Sequence, residues 1–102
     1  MATLEQITQR VQGAVGAESG VDARIKFLFG ADGILFIDAK AKPNRVHNAE
    51  GESDITITVS MENFERIIDK KLNPKFALMT GRMRLKGDIR IAMRLDKVFG
   101  LE

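Results

Sequence analysis

The chain has no cysteine, tryptophan or tyrosine, one histidine and two prolines in 102 residues. Without cysteine there is no disulfide, thiol nucleophile or thiolate metal site, which fits a reducing compartment. The one histidine, His47, lies in a polar stretch with no nucleophile-elbow serine and no recurring ligand spacing around it. Neither a catalytic dyad nor a metal site is expected, and His47 is assigned a structural or surface place. No apolar run approaches the roughly 20 residues that span a bilayer. The opening MATLEQITQR lacks the apolar core of a secretory leader and the Arg-rich character of a transit peptide. A phosphate-cradling loop is missing as well, because Gly81 and Gly87 bracket a strand pattern instead of opening a helix. All six phenylalanines fall on stripes that read as interior, so no base-stacking platform is expected and nucleic acid is not an expected partner. Asp38, Asp54 and Asp88 fall at strand ends and a cap, where solvation and capping account for them without acid-base chemistry.

What is present describes a globular chain. Hydrophobic residues make up 44%, charged residues 29%, and the mean hydropathy is -0.11. That balance buries a single core, so one domain over residues 1–102 is expected. The formal net charge of +2 is unevenly spread. Residues 1–60 carry six Lys/Arg against eight Asp/Glu, and residues 61–102 carry ten against six. The basic back half could attract a phosphate or an anionic membrane surface.

Taken in order, Thr3 with Gln6 forms a capping-box signature, and Leu4, Ile7, Val11 and Ala14 or Val15 follow at helical spacing, predicting a helix over 4–15. ARIKFLFG alternates, with Ile25, Phe27 and Phe29 on one face. Ala31-Asp32-Gly33 is turn chemistry, and ILFIDA is apolar nearly throughout, which predicts a hairpin whose second strand is covered on both sides. KAKPNRVHNAEGES shows a turn at Pro43-Asn44, a short edge strand over 45–49 and an exposed loop. SDITITVS alternates, with Ile55, Ile57 and Val59 inward. Ser60 caps a helix predicted over 61–71 with the stripe Met61, Phe64, Ile67, Ile68 and Leu72. Asn73-Pro74 restarts the chain as a helix that Gly81 stops. Residues 82–86 alternate again, and Asp88 caps a final helix over 89–99 with Ile89, Ala92, Met93, Leu95, Val98 and Phe99 as a wide apolar arc.

Four of the five methionines, Met61, Met79, Met83 and Met93, lie on these converging faces. Methionine adapts to irregular core gaps and to ligands of variable shape alike. Periodicity therefore leaves both a filled core and a cavity open.

The stretch 54–99, above all DITITVS, KLNPKFALMTGRMRLKGD and IAMRLDKVF, closely resembles the sterol carrier protein type two (SCP-2-like) lipid-transfer domain. Several short motifs occur in the family's order across nearly half the chain. The front half agrees only in its helix-then-hairpin layout, and residues 40–53 match poorly. The resemblance implies an α/β (α+β) domain, a sheet of about five strands covered by helices and enclosing an apolar tunnel or cavity. It further implies a non-enzymatic, cofactor-free carrier for a fatty acid, fatty acyl-CoA, sterol-like lipid or phospholipid. An accessory module that presents an isoprenoid or lipid intermediate to a partner enzyme, as in ubiquinone synthesis, is the alternative. By position, Met61, Phe64, Ile68, Phe76, Met79, Met83, Leu85, Ile89, Met93 and Phe99 become the implied lipid-binding wall. Arg82, Arg84, Arg90 or Arg94 could hold a carboxylate or approach anionic headgroups in a transient membrane contact. The end Gly100-Leu101-Glu102 lacks a peroxisomal signal, so a monomeric, cytoplasmic, stand-alone bacterial member is expected.

Overall fold

The computed structural model describes residues 2–101. Helix α1 (Leu4–Val15) opens on the expected capping box: Thr3 accepts from the Gln6 amide, and the Gln6 side chain accepts from the Thr3 amide. Its buried stripe is Ile7, Val11 and Val15, so Val15 and not Ala14 closes the apolar face. Strands β1 (Arg24–Leu28) and β2 (Ile34–Asp38) form the hairpin, in register Leu28 to Ile34 and Arg24 to Asp38. The turn is a short 3-10 segment, Gly30–Asp32, and Phe29 donates its amide to the Gly33 carbonyl. Strand β3 (Arg45–His47) adds antiparallel to β2 at one sheet edge, and β4 (Ile55–Val59) runs parallel to β1 on the other side. Strand β5 (Met83–Gly87) completes the order β3-β2-β1-β4-β5, antiparallel to β4.

Alternation sends Ile25, Phe27, Leu35, Ile37, Ile55, Ile57 and Val59 to one face, where all are buried. Met83 and Leu85, opposite Val59 and Ile57, extend that face to the β5 edge. Helices α1, α2 (Met61–Ile68), α3 (Pro74–Met79) and α4 (Ile89–Val98) cover it, giving a two-layer α+β fold. Burying these side chains, each worth about 1.5–3 kcal/mol, drives the layering. On the other face Phe36 stacks on His47, with centroids 4.9 Å apart, and the backbone at Gly51 lies against its ring. Lys26 anchors this covering segment through Glu50 at 2.6 Å, and the pair holds the Glu50 carboxyl below its usual range. β2 is thus covered on both sides as expected, by a helix layer within and by residues 47–51 without. His47 is a packing residue whose Nδ1 accepts from the Ala49 amide. Farther along the same outer face, Thr58, Arg84 and Lys86 stand exposed.

Helix α2 ends three residues before the expected Lys71. Lys70 takes φ +64°, its amide bonds the Ile67 carbonyl and the Lys71 amide reaches back to Arg66. This paired closure is a Schellman motif with lysine where glycine is usual, a feature that the continuous apolar stripe conceals. Gly87 is the opposite case, a glycine the fold demands: at φ +126° a Cβ would sit 2.4 Å from the Asp54 carbonyl oxygen. The close approach lets β5 turn into α4, where Asp88 accepts from the Arg90 amide as N-cap.

Candidate functional site: an apolar cavity between the sheet edge and three helices

Between the β4–β5 edge and helices α2, α3 and α4 lies a cavity of about 430 Å³. Its aromatic wall is Phe27, Phe64 and Phe99; Phe64 lies 4.8 Å from Phe27 and meets Phe99 edge-on at 6.1 Å. Ile57 and Leu85 form the sheet floor, while Ile67, Ile68, Leu95 and Leu101 add aliphatic surface. Met83 and Met93 contribute adaptable thioethers. Asn73, Lys75 and Asp96 supply a polar side. Leu78 and Met93, 39% and 66% exposed, belong to the lining and also face solvent, so the cavity opens between α3 and α4.

Of the residues implied by resemblance, Phe64, Ile68, Met83, Leu85, Met93 and Phe99 line this space. Met61, Phe76, Met79 and Ile89 do not. Met61 is half-buried and packs against the core at the start of α2. Phe76, Met79 and Ile89 are 51%, 83% and 62% exposed and face outward, which corrects the expectation that every phenylalanine is interior. The reason is rotational. In α4 the packed stripe is Ile91 and Leu95, so Ile89 and Met93 on the same helix swing toward solvent. In α3 the small Ala77, fully buried, sets the contact face and turns Phe76 and Met79 out.

None of the four expected arginines lines the cavity. Arg94 donates to the Val21 carbonyl at 2.7 Å, bracing α4 against the loop before β1. Arg90 is held in two contacts by Asp88, at 3.0 and 2.9 Å, a pairing that lowers the Asp88 pKa. Arg82 sits over the Phe76 ring at 5.6 Å, and Arg84 points to the outer sheet face. The cation in the lining is Lys75, which follows Asn73-Pro74 on the first turn of α3. Its position one residue past the proline was its only sequence signal. A broader depression of 580 Å³, lined by Gln12, Asn44, Arg45 and His47 together with Ala17, Pro43 and Val46, is wide open and lacks the enclosure that separates a ligand from water.

A five-stranded mixed sheet with helices on one face thus encloses a mainly apolar cavity of a size for a small hydrophobic ligand. Residues 4–100 match the profile of the SCP-2 sterol transfer family, and the chain belongs to that family. Membership implies lipid binding or transfer. The sterol carrier protein domain 2 of Helicoverpa armigera superposes with a TM-score of 0.75 at 25% identity, over 92% of this chain and 83% of that one. Palmitated sterol carrier protein 2-like 2 of Aedes aegypti gives 0.70 at 26% identity, over 96% of this chain and 95% of that one. Hydroxysteroid dehydrogenase-like protein 2 of Rattus norvegicus is 34% identical over 74 residues, 70% of this chain but 14% of the relative. The chain thus spans a small part of that longer, dehydrogenase-named protein. A ubiquinone synthesis protein, UbiJ-SCP2, shares the fold with a TM-score of 0.67 at 13% identity, over 99% of this chain and 94% of that one. No helix among the described residues is long and apolar enough to cross a membrane.

Proposed function

We propose that this domain binds and carries a single-chain lipid, a fatty acid or fatty acyl-CoA, without chemical conversion. The hydrocarbon lies against the Phe27-Phe64-Phe99 wall and the acidic end lies near Lys75. The observation that carries this reading is the 430 Å³ apolar cavity with one cation on its rim. At roughly 30 Å³ per methylene-sized group, it holds about 14 such groups. The volume accommodates most of a single chain, with the remaining carbons and the head reaching the α3–α4 opening. Burying 14 methylenes at about 0.8 kcal/mol each amounts to about 11 kcal/mol gross. Immobilising the ligand costs about 4 kcal/mol or more and reduces this to about 7 kcal/mol at most, a complex no tighter than roughly ten-micromolar. The palmitated relative, at 26% identity, supports a chain of this kind. The ubiquinone-synthesis neighbour, at 13%, speaks for the fold alone, so presentation to a partner enzyme ranks second.

Native mass spectrometry of the purified protein, with thermal shifts against palmitate, palmitoyl-CoA and cholesterol, tests the proposal. Co-purified acyl species and a rise in melting temperature with the first two are expected. A ligand-free spectrum with no shift for any of the three overturns it.

A further inference from the structure

The largest exposed apolar side chains of the described residues are gathered on two adjacent helices. Phe76, Leu78 and Met79 stand out from α3, Ile89 and Met93 from α4, with exposures from 39% to 83%. Leu78 and Met93 both line the cavity, so the two groups flank one opening. Monomeric soluble proteins seldom leave so many large apolar side chains together in water unless the patch meets a partner.

Charge identifies the partner. Residues 71–97 hold eight Lys/Arg and two Asp/Glu, whereas the rest of the chain holds eight and twelve. Asp88 and Arg90 pair with each other, Arg94 turns to Val21, and Arg84 and Lys86 lie on the outer sheet face, so Lys71, Lys75, Arg82 and Lys97 carry the positive charge left to the helix side, with Asp96 the remaining acid. A second copy of this chain would bring a like-charged patch against its own kind, which is unfavourable. Anionic headgroups match the field, and the exposed side chains are of the kind that enter the acyl boundary, a pairing of apolar insertion with basic flanks that recurs in interfacial segments.

We infer that the α3–α4 rim docks on an anionic lipid bilayer, with Phe76, Met79 and Ile89 inserted at the interface, so that the cavity opens toward the lipid phase. Lys75 and Arg82 sit at headgroup level, and Arg82, stacked on Phe76, brings its charge down with the ring. The inference rests on the carrier reading for its purpose. Its residues are separate from that reading, since Phe76, Met79 and Ile89 lie outside the cavity lining.

The test is co-sedimentation with phosphatidylcholine vesicles containing 30 mol% (about a third) phosphatidylglycerol, compared with pure phosphatidylcholine, at low and high salt. The Met79→Asp/Ile89→Asp protein is compared with Arg84→Gln/Lys86→Gln, which makes the same change in net charge on the opposite sheet face. The wild type is expected to bind the anionic vesicles, more weakly in salt, and the apolar-to-Asp variant to lose affinity by about tenfold or more. The outer-face variant should lose much less. Equal losses in both variants would mean a diffuse charge effect and overturn the proposal, as would unchanged binding in the first or no vesicle binding by the wild type. A concentration-dependent dimer abolished by Met79→Asp/Ile89→Asp would assign the patch to a second copy and overturn it too. Displacement of a fluorescent fatty acid is measured in parallel. Its retention in the docking-deficient variant separates docking from the cavity, and its absence in the wild type would count against the carrier reading while leaving the vesicle result to stand by itself.

Discussion

Ala92 lines the cavity from the inner side of α4, half-buried and one turn before Asp96. Ala92→Met adds three heavy atoms on a residue that helices tolerate nearly as well as alanine. At roughly 30 Å³ each they occupy about 90 Å³ of the 430 Å³ space. Two effects of opposite sign follow. Filling void in the ligand-free protein raises stability by at most about 2 kcal/mol, from about 24 cal/mol per Å³, and by less in proportion to the water already admitted at the α3–α4 opening. Removing room for about three methylenes costs a filling ligand about 2.4 kcal/mol, a loss of roughly 50-fold in affinity. The assay is competition by saturated fatty acids of increasing length against a fluorescent analogue. In the wild type affinity should improve by about fourfold per methylene up to roughly 14 carbons and then level. In Ala92→Met the plateau should begin about three carbons earlier, with short chains unaffected. A stabilised variant whose length profile is unchanged would refute the assignment of this space to the ligand.

Further outcomes follow from the same geometry. Lys75→Met should weaken palmitate by about tenfold yet leave its methyl ester unchanged, because only the carboxylate gains from the cation; isothermal titration with both ligands reads the difference. Gly87→Ala should destabilise by more than about 3 kcal/mol, since the new Cβ would lie 2.4 Å from one backbone atom and 2.8 Å from another in a left-handed conformation. Urea denaturation monitored by circular dichroism measures it, and a near-native midpoint would show that β5 can shift away from Asp54. Lys70→Gly should stabilise by about 0.5–1 kcal/mol by relieving the φ +64° strain at the end of α2, visible as a few degrees in melting temperature.

Much of the architecture was legible before any coordinates. Capping at Thr3, Ser60 and Asp88 and the proline at 74 marked helix starts correctly, because a cap is a local hydrogen bond between residues two or three apart and proline fits the first helical position. Strict alternation in RIKFL and ITITV likewise specified which face turns inward, since a strand has only two. The end of α2 was missed because lysine seldom takes the left-handed conformation, and nothing in KKL announces that Lys70 does.

The site divides along the same line. Composition and periodicity determined that the back half carries a wide apolar arc, open to either a filled core or a cavity, and that it is the basic half. They could not determine how that arc is shared, because a helix has a continuum of orientations about its axis and the arc of α4 is wider than its contact. Packing at Ile91, Leu95 and Ala77 decided the rotation. It placed Phe64, Met83 and Phe99 around the cavity, Met93 at its rim, and Phe76, Met79 and Ile89 in solvent. The arginines were decided in the same way: Val21, Asp88 and Phe76, distant or near in sequence, claimed three of them, and left Lys75 as the cation on the lining.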